Sequence, residues 1–246
     1  MTIMGTASQI ARYALALALM APLLGGALVI APFSDRLGRR MVRAWNQAFL
    51  SIFGISFEVQ YDIGPEELQQ GGIIVGLTQQ SIIDPTVGFA AWDKPVKAIW
   101  NIEYALIPFF GWVSFILGWV IVRQNPSQSK RQIEKAAKYA ANGGLVYLSA
   151  EGKRSVDGSL SPYKKGPVVM AISAQVPLYP VYIAGSRQCM PPGAWKIRPG
   201  KIIMRHLAPI PTTGMTYEDR HSLLEHLRIV GEKEHSRWVN DRESVT

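Results

Sequence analysis

The stretch at residues 118–149, GWVIVRQNPSQSKRQIEKAAKYAANGGLVYLS, decides the fold class. It begins with an apolar run at residues 118–123 and ends with another at residues 145–149, and each predicts a buried strand. Between them, apolar side chains recur at the spacing of one helix face. They are Ile133, Ala136, Ala137, Ala140 and Ala141. Strand, helix and strand in this order predict a βαβ unit with a right-handed crossover, and hence an α/β domain.

The ends of this helix carry their own signals. The helix is predicted to start after Pro126, where Ser129 and Gln132 have the spacing of a capping box. Asn142-Gly143-Gly144 is typical of a helix C-terminus. Further apolar runs at residues 71–78, 94–100, 176–183 and 201–206 predict more strands. A polar helix is expected to open at Thr216 and Asp219, and its apolar face comprises Leu223, Leu224, Leu227 and Val230.

The first 44 residues differ from the rest of the chain. Residues 13–32 carry no charge and are just long enough to span a bilayer as a helix, although Pro22 and Gly25-Gly26 predict a kink or two short helices. Four arginines at positions 36, 39, 40 and 43 follow this run, so the positive-inside rule places the main domain in the cytoplasm. A membrane anchor or interfacial helix, a helix packed on the domain, and a signal peptide are the three alternatives.

Composition narrows the class of partner. The net charge is +8, which suits anionic partners such as phosphates or lipid headgroups. No nucleic-acid-binding motif occurs, so nucleic acid is not an expected partner. The single cysteine, Cys189, excludes an internal disulfide or a multi-cysteine metal site. A second uncharged run at residues 105–122 is interpreted as an apolar helix or loop that leads into a strand and contacts lipid or an acyl chain.

Three segments with polar or charged side chains lie at or just after the ends of predicted strands. Loops at the carboxyl ends of strands are where α/β sheets bind ligands. The three segments are residues 76–85 (GLTQQSIIDP), Arg123, and residues 151–155 (EGKRS). Lys153, Arg154 and Arg123 can form a phosphate clamp, and Gly152 would let the backbone approach a ligand closely. Taken alone, EGKRS also has the composition of an ordinary charged surface turn.

Together these segments resemble the motifs of the glycerolipid acyltransferases, the lysophosphatidic acid acyltransferase (PlsC-like) family. Residues 78–84, TQQSIID, match the family pattern N-H-Q-S-x-x-D, and EGKRS matches E-G-T-R-S. Lys164-Lys165-Gly166 and residues 176–181 match two later segments. The resemblance covers residues 45–210. It implies a single domain with a mixed, largely parallel sheet at residues 45–246, behind a membrane-anchoring or interfacial segment at residues 1–44.

The resemblance also implies a reaction and its residues. Such enzymes transfer an acyl group from acyl-CoA or acyl carrier protein to a lysophospholipid hydroxyl, at the cytoplasmic face of the inner membrane, with no metal or bound cofactor. Carried over, Asp84 orients the base and Ser81 supports the loop. Glu151, Gly152, Lys153, Arg154 and Ser155 form the acceptor site, and Arg154 and Arg123 contact the phosphate. Lys153 departs from the small polar residue usual at its position.

Gln79 stands where the family has its general-base histidine. An amide has no usable protonation near neutral pH, so it cannot accept a proton as such a base does. None of the four histidines is an obvious substitute, since His206 ends a strand and His221, His226 and His235 lie in the C-terminal helix. Three explanations stay open. In the first, Gln79 replaces a histidine by drift or by deliberate change, and its amide can hydrogen-bond Asp84. In the second, Asp84 acts as the base itself. In the third, the protein binds lipid without turnover.

Overall fold

The structure is a computed structural model that describes residues 5–62, 71–106, 111, 114, 117–122, 124–155 and 157–243. Arg123 and much of the apolar run at residues 105–122 lie outside the described residues. Within them, seven strands form one sheet. The strands are β1 (Ile55–Tyr61), β2 (Gly72–Gly76), β3 (Val96–Asn101), β4 (Gly118–Ile121), β5 (Leu145–Ser149), β6 (Leu178–Ala184) and β7 (Gly200–His206).

The sheet is mixed and largely parallel, as predicted. Its strand order is β1-β7-β6-β2-β5-β3-β4. The run from β6 to β4 is parallel throughout, whereas β7 pairs antiparallel with β6 and parallel with β1. The predicted strand–helix–strand unit is present, but β3 lies between its two strands. The carboxyl ends of β2, β3, β4, β5 and β6 therefore meet at one edge of the sheet.

Helices cover both faces of the sheet. They are α1 (Thr6–Met20), α2 (Gly26–Ile30), α3 (Asp35–Ile52), α4 (Asp84–Ala91), α5 (Ile102–Ala105), α6 (Pro126–Ala141), α7 (Gly166–Ala174), α8 (Ser186–Cys189) and α9 (Arg220–Glu243). Successive side chains of β2 point to opposite faces of the sheet, so the core has two parts. Ile73 and Val75 pack towards α6, α7 and α9, whereas Ile74 packs towards α3 and α4. The predicted apolar face of α9 packs there through buried Leu223 and Leu227.

The predicted cap of one helix is corrected. The N-cap of α6 is Asn125, whose side chain accepts the Gln128 N–H at 3.0 Å, because Pro126 takes the first helical position. Ser129 does not cap the helix, and its hydroxyl donates to the Val122 carbonyl. In contrast, the predicted capping box of Thr216 and Asp219 is confirmed, at a short 3-10 turn that leads into α9.

The N-terminal apolar segment is one continuous helical run, in which a π-helical turn at Ala21–Gly25 containing Pro22 joins α1 to α2. The run Thr6–Ile30 is long and apolar enough to cross a membrane, and only 22% of its most apolar window is buried. Its inner face packs on the domain through Ala16, Met20, Leu24 and Ala27. The segment is thus both docked and largely exposed. The predicted boundary between residues 44 and 45 falls inside α3.

Gly118 provides a test of the sheet edge. A Cβ atom there would lie 1.8 Å from the Ala98 carbonyl oxygen on β3, which is backbone and cannot move aside. We expect Gly118→Ala to lower the free energy of unfolding by about 1–3 kcal/mol, measured by denaturant unfolding. Gly166→Ala is the control, because nothing lies within 4 Å of a Cβ there. Equal stability of the two variants would contradict the β3–β4 pairing.

Candidate active site

The loop at residues 77–83 leaves the carboxyl end of β2, the strand between β5 and β6. Neighbouring strands anchor its first residues. The Leu77 N–H donates to the Val181 carbonyl at 2.9 Å, and the Thr78 hydroxyl donates to the Ile183 carbonyl at 3.1 Å. Since β2 is fully buried, the position of this loop is fixed by the centre of the sheet.

Asp84 turns the loop back on itself. Its Oδ2 accepts the backbone N–H groups of Gln80 at 2.8 Å and Ser81 at 2.9 Å. Asp84 occupies the first turn of α4 and follows the N-cap residue Ile83. Ser81 supports the same turn, because its hydroxyl donates to the Met190 carbonyl and accepts the Ile83 N–H.

Burial sets the charge of Asp84. The carboxyl group is almost fully buried, and this desolvation raises its pKa to about 6. The nearby Ser186 hydroxyl, the two backbone N–H groups and the Arg154 charge oppose that rise. The proton equilibrium of Asp84 therefore lies near neutral pH, which is where a group that moves protons is most effective.

The Gln79 side chain is not bonded to Asp84. Its Oε1 atom is buried and has no hydrogen-bond partner among residues 5–62, 71–106 and the later described segments, and Asp84 Oδ2 is occupied by backbone donors. The hypothesis that the amide hydrogen-bonds Asp84 is therefore wrong in this structure. Instead the backbone of Gln79 is fixed, since its N–H donates to Glu151 Oε2 at 2.5 Å and its carbonyl accepts the Ser155 N–H at 2.7 Å.

Glu151 joins two loops. One carboxylate oxygen accepts the Gln79 N–H and the other accepts the Ser161 N–H, and the side chain is buried. Burial raises the pKa of Glu151, and the two N–H groups and the Arg228 charge oppose the rise. Because both oxygens already have backbone donors, Glu151 acts on the geometry of the Gln79 loop. Its contact with an acceptor stays a prediction.

The rest of the EGKRS segment divides into buried and exposed parts. Gly152 adopts φ +69°, a conformation that favours glycine. Lys153 and Arg154 are exposed, as a phosphate clamp requires. Ser155 is buried, and its hydroxyl donates to Asp157 and accepts the Gly158 N–H, so it closes a turn. The predicted contact of Ser155 with the substrate also stays a prediction.

An apolar groove of about 220 Å³ begins beside Gln79 and Asp84. It runs between the carboxyl ends of β3, β4 and β5 and the helices α6 and α7. Gly152 and Lys164 also line it. Its walls are mostly apolar, formed by Ile99, Trp100, Ile121, Ile133, Leu148 and Met170. A polar end that opens into an apolar groove matches the two parts of a fatty acyl thioester.

Sequence reasoning missed Asn101, the last residue of β3. Its side chain is buried in the groove lining, and neither its oxygen nor its nitrogen bonds any residue that the structure describes. A buried amide without partners is costly, so a substrate group is expected to bond it. The sequence feature that could have indicated Asn101 is a polar residue at the end of an otherwise apolar strand.

The histidines lie elsewhere, and none lines the groove. His206 stacks on Tyr61 at 4.8 Å, and burial lowers its pKa to about 4. His235 shares a 2.8 Å hydrogen bond with the Tyr182 hydroxyl. His221 and His226 are exposed on α9. No histidine therefore stands in for Gln79 in the lining of the groove that the structure describes.

Comparison with known proteins gives consistent matches. The family model described as Acyltransferase matches residues 61–184. A putative 1-acyl-sn-glycerol-3-phosphate acyltransferase of Caenorhabditis elegans is 28% identical over 171 residues, which are 68% of this chain and 61% of that protein. The chain thus spans about three fifths of that relative. A 1-acyl-sn-glycerol-3-phosphate acyltransferase of Haemophilus influenzae is 24% identical over 78% of this chain and 80% of its own length.

A solved structure shows the same fold. The crystal structure of the 1-acyl-sn-glycerophosphate acyltransferase PlsC from Thermotoga maritima superimposes with a TM-score of 0.69. The two chains are 22% identical, and the match covers 92% of this chain and 99% of the other.

Glu151→Gln tests the bridge between the loops. An amide keeps one acceptor oxygen but turns an NH₂ group towards the second backbone N–H, which loses its partner. We expect a loss of about 1–3 kcal/mol in the free energy of unfolding, measured by denaturant titration. Glu225→Gln, an exposed carboxylate on α9, is the control. The same midpoint for both variants would show that the bridge contributes nothing.

Asp84→Asn tests the buried carboxylate through pH. Because the folded pKa of Asp84 is about 6, above its value of about 3.9 in an unfolded chain, the folded state binds the proton more tightly. The stabilising effect is complete below about pH 4 and is lost as the pH rises through about 6. The free energy of unfolding should fall across this window by on the order of 2–3 kcal/mol more than in the variant. Parallel curves would show that Asp84 is not perturbed.

Proposed function

The chain belongs to the acyltransferase family, and from this premise we propose that it transfers a fatty acyl group from acyl-CoA or acyl carrier protein to a lysophospholipid hydroxyl. Lysophosphatidic acid is the leading acceptor, as in the names of the relatives from C. elegans and H. influenzae. The resemblance of the motifs to this family is confirmed by the family match.

The observation that carries the proposal is the groove that begins at Gln79 and Asp84. Its apolar walls suit an acyl chain, and the exposed cations Lys153 and Arg154 lie in the loop that follows the groove residue Ser149. An acyl thioester in the groove and a phosphate on those cations would place an acceptor hydroxyl at the Gln79 loop. The acceptor oxygen then attacks the thioester carbonyl, the C–S bond breaks, and the hydroxyl proton ends on the departing thiolate.

A base is needed to move that proton, and Gln79 cannot supply it. Asp84 is the alternative, since it lines the groove and its pKa of about 6 leaves it mostly ionised at neutral pH. Its Oδ1 atom accepts no backbone N–H from the described residues and has only the Ser186 hydroxyl nearby, whereas Oδ2 binds two N–H groups. We therefore propose slow transfer, with Asp84 Oδ1 as the proton acceptor in place of the missing imidazole.

The proposed location is the cytoplasmic face of a membrane. Large apolar side chains of the N-terminal helical run and the turn after it are exposed, and Phe33 is 89% exposed. An acceptor lysolipid and a lipid product both reside in a bilayer, so an enzyme on its surface gains access to them. The basic flank at residues 36–43 supports the cytoplasmic side.

Gln79→His tests the assignment of the site. It restores a titratable base on a loop that backbone contacts hold in place, so transfer from acyl-CoA to lysophosphatidic acid should rise by at least about tenfold. The measurement is the initial rate in mixed micelles with radiolabelled acyl-CoA. Ile82→His is the control, because it adds an imidazole to the same loop at an exposed position outside the groove lining.

The absence of histidine from the groove lining favours one other function, a protein that binds lysolipid without turnover. It predicts binding that weakens with Arg154→Ala and no transfer in either histidine variant. If the unaltered chain transfers acyl groups, Asp84→Asn should abolish the activity. An unchanged rate in that variant would contradict Asp84 as the base.

A further inference from the structure

A second cavity, of about 500 Å³, lies at the edge of the sheet where β3 begins, opposite the edge that bears the groove. The first half of α3, the end of α4 and residues 92–96 enclose it. We infer that this cavity binds a phosphate group, carried by the headgroup of an anionic phospholipid. The inference does not depend on acyl transfer, because none of the residues that line the groove lines this cavity.

The lining of this cavity carries a net positive charge. Five cations line the cavity against two acids, Asp35 and Asp93, which leaves three net positive charges. The cations are Arg36, Arg39, Arg40, Arg43 and Lys94. The four arginines recur at positions i, i+3, i+4 and i+7 of α3, so they share one helix face. Guanidinium groups converging on a cavity favour phosphate, whose oxygens accept their paired N–H donors.

Two buried N–H donors also favour a phosphate in this cavity. Arg39 donates through Nε and Nη2 to Asp35, but its Nη1 is buried and has no hydrogen-bond partner in the part of the chain that the structure describes. The indole Nε1 of Trp92 is likewise buried, and it bonds none of the described residues. Both residues line the cavity. Leaving such groups unbonded costs free energy, so an acceptor that enters between these two side chains would be stabilised.

Arg43 fixes one wall. It donates from Nε to the Ala90 carbonyl at 3.1 Å and from Nη2 to the Ala91 carbonyl at 3.4 Å. These carbonyls are at the end of α4, where a cation also offsets the negative end of the helix dipole. The positive charge of Arg43 is therefore held rigidly beside the cavity. Arg36 and Arg40 are exposed, so they can approach a headgroup from solvent.

The position relative to the apolar helix identifies the source of the phosphate. Exposed Val29 and Phe33 lie just before α3, and the cavity arginines follow within its first three turns. If those apolar side chains enter a bilayer, the arginines lie at the depth of the headgroups. Each basic side chain near an anionic leaflet contributes about 1 kcal/mol, or roughly fivefold in binding.

The test compares two double variants of the full chain in neutral detergent. Arg36→Gln/Arg40→Gln removes two exposed cations from the cavity, and Lys130→Gln/Arg131→Gln removes the same charge from exposed positions on α6. Inorganic phosphate is titrated at constant ionic strength against chloride, with the thermal midpoint as readout. The unaltered chain and the α6 variant should show a saturable rise, and the cavity variant should need roughly tenfold more phosphate.

Vesicle flotation then identifies the carrier of the phosphate. Phosphatidylcholine vesicles are prepared with and without phosphatidylglycerol, which is neither acceptor nor product of the proposed reaction. The cavity variant should lose at least roughly tenfold in its preference for the anionic vesicles relative to the α6 variant. If only the phosphate titration separates the variants, the ligand is a soluble phosphate ester and the lipid assignment is wrong. Equal behaviour of both variants in both assays would overturn the site.

Discussion

The Glu151 carboxylate accepts the backbone N–H groups of Gln79 and Ser161, and the remaining geometry of the site depends on this bridge. It joins the loop after β2 to the loop after β5, the two central strands that pair in parallel. Glu151 fixes the backbone of Gln79, and Asp84 accepts the N–H groups of the next two residues, Gln80 and Ser81. These contacts define a single backbone conformation for the loop. The apolar groove can then open beside residue 79, because no side chain of that loop has to fill it.

This arrangement separates the scaffold from the chemistry. All the contacts that fix residue 79 use its backbone, so the side chain at that position is free to change without loss of the fold. Gln79 Oε1 is buried and has no hydrogen-bond partner among the described residues, so the surroundings do not satisfy this amide. Burial of the Asp84 carboxyl raises its pKa to about 6, which is the basis for proposing this group as the proton acceptor.

Local sequence patterns predicted most of the fold. The βαβ unit, the strands at β2 and β5 and the apolar face of α9 follow from periodicity, because burial on one face imposes it. The insertion of β3 between β4 and β5 could not be predicted, since strand order depends on long-range packing. In the site, the motif found Gln79 and Asp84, yet it did not show that both Glu151 oxygens bind backbone. Asn101 was missed because a lone polar residue at a strand end is common.

The proposed action on lipid at a bilayer surface rests on three features, which are the groove, the exposed apolar helix and the cationic cavity. The central claim is that residue 79 faces the acceptor. A structure of the chain in a nanodisc with lysophosphatidic acid bound tests it most directly. The account predicts the phosphate on Arg154 and the free hydroxyl within about 3 Å of the Gln79 side chain or Asp84 Oδ1. A lysolipid bound with its hydroxyl away from both side chains would contradict it.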